Sequence, residues 1–233
     1  MGVGYMKDIV ALAKERADKF GVRNVVVPTN TGATANRVYE VFGKNYLIIA
    51  VGNPASAHAR GLVHHQGVNE ETRRSLEQKG INVVLQDQSL FQAVGYGRQG
   101  FDVGGRSYDI AAPAWVHHRR IPSLQEVLEN AGPRGDFNPI AIIYNTLQLF
   151  GDGPRVCLEV ALMAADSGVL PLDEDCVSIQ RRIGGESNMP DAAIVLRPAR
   201  TEDLFKGQLR IKDLVLLPGP KDHWFNNGPV WVG

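Results

Sequence analysis

The sequence predicts an α/β fold built on a mostly parallel β-sheet, and three observations carry this prediction. Amphipathic helical patterns alternate with short apolar runs over the first 85 residues. The apolar runs are rich in β-branched residues and show no polar alternation, which is typical of strands covered on both faces. Gly21 and Gly80 close helical patterns, and glycine is common at the end of a helix. Strand and helix therefore alternate as in a doubly wound sheet.

Among the first four predicted elements, a strand, a helix and a second strand form one crossover unit. A helix is predicted over 6–20, where apolar residues recur at spacings of three and four and Gly21 ends the pattern. The run NVVVP predicts a strand at Asn24–Pro28. A helix at Ala33–Phe42 and a strand at 46–51 (YLIIAV) follow. A strand, a helix and a parallel strand in this order are expected to cross over with right-handed sense.

The alternation continues to residue 85 and then stops. A helix is predicted at 70–79, closed by Gly80, and a strand at 81–85 (INVVL). Ten glycines and prolines interrupt the periodicity of residues 86–136, so an irregular surface excursion is expected at about 95–136 within a single domain of residues 1–233. Within residues 86–136, two short helices are predicted, near 88–94 and 123–130.

The C-terminal part contains two more helices and three strands. The helices are predicted at 138–150 and 155–167, and the second is apolar nearly all round, as a buried helix is. Strands are expected at Cys176–Gln180, 192–196 and 214–217. The tail from residue 218 is rich in Gly, Pro and Asn. Its two tryptophans indicate docking on the body of the protein, with contact between subunits of a homo-oligomer as the alternative.

The composition excludes several classes of partner. Lys plus Arg equal Asp plus Glu at 25 each, so no net field attracts nucleic acid or an anionic membrane. Two cysteines are too few for a disulfide framework. The N-terminus lacks the unbroken apolar core of a signal peptide, and no stretch approaches membrane-spanning length. We expect a cytoplasmic protein with no membrane contact.

The segment between the first strand and the second helix predicts a phosphate site. The first turn of a helix has backbone N–H groups without intrahelical acceptors, and the helix dipole adds partial positive charge there. Glycine allows close approach, and threonine hydroxyls donate further hydrogen bonds to phosphate. No Walker lysine follows, so hydrolysis of a nucleoside triphosphate is not supported. The alternative is ordinary helix capping and turn formation. The residues of this 29–34 loop are Thr29, Asn30, Thr31, Gly32, Ala33 and Thr34.

Other candidate ligand residues lie on two further loops and one helix. Gly52 opens the loop after the second strand, and His58 lies within it, at the same sheet edge as the 29–34 loop. A solvated loop histidine is the alternative. Glu159 and Asp166 lie about two turns apart on one apolar helix. We expect them to bind ligand hydroxyls, with pairing to Arg197 or capping of neighbouring backbone as the alternative.

Arg197 ends a strand, and we expect it to emerge at the ligand edge as a partner for phosphate, with an internal salt bridge to Asp166 or Glu159 as the alternative. The six histidines contain no helical His-x-x-x-His pair and no accompanying cysteines, so no metal site is predicted. The order of residues also reveals no catalytic set. Catalytic residues therefore stay unassigned.

The sequence resembles the pyruvate kinase C-terminal-domain-like proteins. The resemblance rests on TNTGATA in the first half and on VCLEVALMAADSGVLPLDEDCVSI in the second. It extends to a Gly184-Gly185 turn and to a strand ending in Arg197-Pro198-Ala199. It implies a three-layer α/β/α fold. It also implies a phosphate ligand at the loop, with fructose 1,6-bisphosphate and flavin mononucleotide (FMN) as family precedents, and Gly184 and Gly185 as ligand residues.

The favoured hypothesis is a binding protein for a phosphorylated small molecule, with FMN as its cofactor. A flavin-dependent enzyme is one alternative, and an allosteric or assembly partner that senses a sugar phosphate is another. Pyruvate kinase activity is not expected, because the barrel domain that carries its catalytic groups has no room in these 233 residues.

Overall fold

A computed structural model describes nine parts of the chain: 8–59, 67–86, 101–103, 106–108, 143, 146–147, 149–150, 152–181 and 191–217. The helices are α1 (Ile9–Phe20), α2 (Ala33–Phe42), α3 (Ala55–Ala59), α4 (Glu70–Glu77) and α5 (Asp152–Asp166), and a 3-10 helix spans Thr201–Lys206. The strands are β1 (Asn24–Pro28), β2 (Leu47–Gly52), β3 (Asn82–Leu85), β4 (Phe101–Val103), β5 (Arg106–Tyr108), β6 (Cys176–Gln180), β7 (Asp191–Arg197) and β8 (Arg210–Leu217).

Six strands form one sheet in the order β3-β2-β1-β6-β7-β8, and β4 pairs with β5 in a separate hairpin. β1 is parallel to β2 and to β6, and β2 is parallel to β3. β7 is antiparallel to both of its neighbours, β6 and β8. Five of the six strands therefore run in the same direction, and the prediction of an α/β fold with a mostly parallel sheet is confirmed.

Helices pack on both faces of this sheet, because its strands are apolar on both sides. Val25 and Val27 of β1 belong to an apolar cluster with α1, α2 and α4. Val26, which points the opposite way, belongs to a second cluster with α5. All three valines are 0% exposed. Such double coverage explains why NVVVP shows no polar alternation.

The predicted elements agree with the structure where strands and helices alternate. β1 and α2 have the predicted bounds, and β2, β3 and α4 differ from theirs by a few residues at their ends. Sequence analysis missed α3 and the 3-10 helix, each of which has fewer than seven residues. The short helices near 88–94 and 123–130, most of 138–150 and the tail with Trp224 and Trp231 lie outside the described residues.

No helix within the described ranges is both long enough and apolar enough to cross a membrane.

Candidate functional site

The 29–34 loop lies at the edge of the sheet where the parallel strands end. It follows β1, which pairs with β2 on one side and with β6 on the other. From β1 the chain passes to β2 and β3, and it later enters β6 on the opposite side of β1. The strand order thus reverses at β1. In open α/β sheets, ligands bind in the crevice outside the carboxyl ends of the strands at such a point.

Two hydrogen bonds fix the start of the loop. The Thr29 amide donates to the Val51 carbonyl at 2.7 Å, which extends the pairing of β1 with β2 by one residue. The buried Thr29 hydroxyl accepts from the Gly32 amide at 3.1 Å. Gly32 has a φ of 81°, which is readily adopted only by glycine. The Thr29 hydroxyl and the positive φ of Gly32 therefore turn the loop tightly into α2.

The amino end of α2 is open, in contrast to those of α1 and α4. Asp8 caps α1 by accepting from the Val10 amide at 3.1 Å, and Asn69 caps α4 by accepting from the Thr72 amide at 2.8 Å. No side chain caps α2 at Gly32. The amides of the next three residues have no hydrogen-bond acceptor within the described parts of the chain; they are those of Ala33, Thr34 and Ala35.

The tip of the 29–34 loop is exposed at this helix end. Asn30, Thr31 and Ala33 are exposed, whereas Thr34 is only 2% exposed. On one side the turn is covered by α4, because a Cβ on Gly32 would lie 3.2 Å from the Thr72 Cγ2 atom. The loop is thus supported from α4 while its tip faces solvent.

Gly52 acts in this site through its backbone. A Cβ atom at this position would overlap the carbonyl oxygen of Thr29 and would lie 2.9 Å from the Val68 Cγ2 atom. The ends of β2 and β3 are tied together beside it, since the Gln86 amide donates to the Gly52 carbonyl at 3.0 Å. Gly52 therefore lets the ends of β1 and β2 pack closely, and this packing positions Thr29.

Three other candidates lie at or beyond the limits of the described structure. His58 lies in α3, at the same edge, but its side chain is outside the described residues, as are Gly184 and Gly185. The other histidines also lie outside them. In the described part of the chain, no group of three His, Cys, Asp or Glu residues has the arrangement of a metal site.

Glu159 and Asp166 do not share one site. Glu159 is 8% exposed and forms an ion pair with Arg155, one turn earlier in α5, at 2.9 Å. Asp166 is exposed and accepts hydrogen bonds from the Thr201 amide at 2.8 Å and from the Thr201 hydroxyl at 2.6 Å. Asp166 thus caps the backbone at the 3-10 helix, which was the alternative to ligand binding.

The predicted position of Arg197 is wrong. β7 runs antiparallel to β6, and Leu196 pairs with Cys176, the first residue of β6. Arg197 therefore lies at the edge where the parallel strands begin, opposite the 29–34 loop. Its guanidinium donates to the Asp175 carboxylate at 2.7 Å and to the Asp173 carbonyl at 2.8 Å. Arg197 thus forms an internal salt bridge, as the alternative predicted, but its partner is Asp175 and not Asp166 or Glu159.

We expect Arg197→Met to lower the free energy of unfolding by about 1 kcal/mol, since a partly exposed ion pair contributes little more than that. Burial alone would raise the pKa of Asp175, but hydrogen bonds from Lys212 and Arg197 outweigh it and hold the pKa below 3.8. A lowered pKa stabilises the fold above pH 3.8 and loses its contribution as the pH falls through the folded value. Urea unfolding from pH 7 to pH 3 should show the wild type and the variant converging at acidic pH.

The control for this variant is Arg74→Met, which breaks an ion pair with Glu70 whose arginine side chain is 71% exposed. This change is expected to alter stability by less than about 0.5 kcal/mol. Ligand affinity should stay unchanged in both variants. A loss of phosphate binding confined to Arg197→Met would restore Arg197 as a ligand residue.

The cysteines are not candidate nucleophiles. Both Cys157 and Cys176 are fully buried in the cluster under α5. Burial raises the pKa of the Cys157 thiol to about 12, and burial also raises the pKa of Cys176. A thiol needs its thiolate form to react as a nucleophile.

A groove of about 340 Å³ lies at the opposite edge of the sheet, between the carboxyl ends of α2 and α4. Lys44 and Lys79 line it together with Tyr39 and Tyr46. Helix carboxyl ends carry partial negative charge and favour cations. We therefore do not assign the phosphate to this groove, despite its two lysines.

One polar residue at the ligand edge was missed by sequence analysis. Gln180 ends β6, the strand beside β1, and it is 8% exposed. A glutamine at the end of the apolar run CVSIQ was the available signal, but its burial follows only from the tertiary structure.

The sequence matches no known protein-family model.

Proposed function

We propose that this protein binds a phosphorylated small molecule, with FMN as the first candidate, at the amino end of α2. The observation that carries the proposal is the set of three unpartnered amides at Ala33, Thr34 and Ala35, counted over the described residues. Donors of this kind, aligned with a helix dipole, favour a phosphate dianion. In each of the neighbouring helices α1 and α4, a side chain, Asp8 or Asn69, accepts from one amide of the first turn.

The hydroxyl groups of the loop add to this preference for phosphate. The exposed Thr31 side chain makes no hydrogen bond to the described part of the protein, so its hydroxyl is free to donate to a phosphate oxygen. The Thr29 hydroxyl uses its oxygen to accept from Gly32, which leaves its hydrogen for a ligand. No lysine or arginine is needed in such a site, because backbone amides supply the donors.

FMN is favoured over other phosphate esters by the resemblance of the loop and of the α5–β6 segment to pyruvate kinase C-terminal-domain-like proteins. We propose the same three-layer fold for this chain. The mostly parallel sheet and the loop at its carboxyl edge support this assignment. In this proposal the protein senses or stores its ligand.

The test begins with mass spectrometry of small molecules released from the purified protein, followed by titration with FMN monitored by quenching of flavin fluorescence. We expect Thr31→Val to weaken FMN binding about tenfold, because a hydrogen bond to a charged group contributes about 1.5 kcal/mol or more. Thr31→Ser keeps the hydroxyl and serves as the matched control.

If Thr31→Val binds FMN as tightly as wild type does, and also binds inorganic phosphate as tightly, the Thr31 hydroxyl is not part of the site. Gly32→Val is not a clean test of the same loop. Any side chain at that position would be strained, because Gly32 has a φ of 81° and a Cβ atom would lie 3.2 Å from the Thr72 Cγ2 atom. A loss of binding could then result from a folding defect.

A further inference from the structure

Gln180 lies at the ligand edge of the sheet, one strand away from the 29–34 loop. Val26 pairs with Ser178 in the parallel register of β1 and β6. Two residues further along both strands, Pro28 is level with Gln180, and Thr29 follows directly. Neighbouring strands lie about 5 Å apart, so the Gln180 side chain is within reach of a sugar-sized group extending from a phosphate at α2.

The side-chain oxygen of Gln180 is buried and has no partner in the described part of the chain. Gln180 is 8% exposed, and its Oε1 atom is buried without a hydrogen-bond partner among the residues that the structure describes. The Nε2 atom donates to the Arg181 carbonyl at 3.4 Å. A flipped amide would set two acceptors, Oε1 and the Arg181 carbonyl, against each other. The present orientation, with its oxygen unpaired, is therefore the better of the two.

An unpaired buried acceptor is costly, and native proteins contain few of them. A methionine at this position would avoid that cost at nearly the same volume. Among the described residues, the side-chain amide makes one long hydrogen bond, to the next residue in the chain, so this part of the fold depends little on it. The oxygen is explained if a bound molecule supplies the missing donor.

The face of the sheet on which the Gln180 side chain lies determines the path that a bound ligand follows. The preceding alternate residues of β6 face α5: Cys176 packs in the α5 cluster, and the Ser178 hydroxyl donates to the Cys157 carbonyl at 2.7 Å. The alternation of a strand places Gln180 on that same face. α2 packs on the other face. A ligand that reaches from α2 to Gln180 therefore crosses the carboxyl edge between β1 and β6.

We infer that the Gln180 side-chain oxygen accepts a hydrogen bond from a hydroxyl group of the bound phosphate ester. This inference rests on the proposed phosphate site and specifies its ligand class. The ligand is a phosphate ester of a polyhydroxylated chain, such as the ribityl chain of FMN, and its phosphate lies at α2 while a hydroxyl lies at Gln180. Phosphate esters without hydroxyl groups bind through the loop alone.

The test compares FMN with phenyl phosphate, which carries no hydroxyl outside its phosphate group, on wild type and Gln180→Met. We expect Gln180→Met to weaken FMN binding about tenfold, the size of one lost hydrogen bond in a buried site. The affinity for phenyl phosphate should stay unchanged, and the Tm of the ligand-free variant should be equal to or above that of wild type.

Gln86→Met is the matched control, because Gln86 also lies at the carboxyl end of a parallel strand, directly after β3, but its side-chain Nε2 atom donates to the Met163 carbonyl at 3.1 Å. Its ligand-free Tm should fall, and its affinity for FMN should not change. NMR of the wild-type protein gives a second measurement that needs no variant. The side-chain amide signals of Gln180 should shift on addition of FMN and stay in place on addition of inorganic phosphate.

Two results would overturn the role of Gln180: an unchanged FMN affinity of Gln180→Met, or Gln180 side-chain NMR signals that do not shift on addition of FMN. If Thr31→Val still weakens FMN binding, the phosphate site at the loop is unaffected by these results. Wild-type protein that binds neither FMN nor phenyl phosphate would overturn both proposals together.

Discussion

Gly52→Ala is expected to lower the free energy of unfolding by about 3 kcal/mol, at the upper end of the usual cost of overpacking. The added methyl group would overlap the Thr29 carbonyl oxygen and press on the Val68 side chain at 2.9 Å. The Thr29 carbonyl group does not give way easily, because the same residue is hydrogen bonded through its amide to Val51. Urea denaturation of the two proteins measures the difference.

Gly21→Ala is the control for this prediction. Gly21 ends α1 with a φ of 68°, and a Cβ atom there would meet nothing within 4 Å. Only the left-handed backbone then opposes alanine, at about 1 kcal/mol. Equal losses at Gly21 and Gly52 would mean that the ends of β1 and β2 are not packed as closely as described.

Ala33→Glu is expected to weaken FMN binding by about 100-fold or more, because a carboxylate beside the phosphate adds repulsion of several kcal/mol at short range. The position is exposed and begins α2. A glutamate in the first turn of a helix interacts favourably with the dipole, so the fold itself should be as stable as wild type or slightly more so. Fluorescence titration and thermal unfolding separate the two effects.

Ala33→Gln has nearly the same shape without the charge and is the control. It should weaken FMN binding far less than Ala33→Glu does. Raising the salt concentration should partly restore binding to the glutamate variant, since exposed charges are screened. Ala33→Glu protein that binds FMN like wild type would place the phosphate elsewhere.

The sequence was sufficient to predict the elements that position the site. The uninterrupted apolar run of β1, the turn glycine and the apolar face of α2 are local signals, so the bounds Asn24–Pro28 and Ala33–Phe42 agree with the structure. These same signals located the loop. The close contact between Gly52 and Thr29 was not predictable, because it depends on how the ends of two strands lie in space.

The error at Arg197 came from strand direction, which burial patterns do not reveal. β6 and β7 are both apolar, so their patterns do not show which direction each strand runs. Only ten residues separate Gln180, the end of β6, from Asp191, the start of β7. A parallel connection needs a dozen residues or more and usually a helix. The short connection therefore already indicated an antiparallel pair, and with it the position of Arg197 at the far edge of the sheet.

The most direct test of the phosphate site is NMR of the backbone amides on addition of inorganic phosphate and then of FMN. We predict that the amide hydrogens of Ala33, Thr34 and Ala35 shift downfield with both ligands, since each gains a charged acceptor. The amides of Gly43 and Gly80, in the groove at the opposite edge, should not move. Unchanged signals at the start of α2, or shifts confined to the groove, would contradict the proposed function.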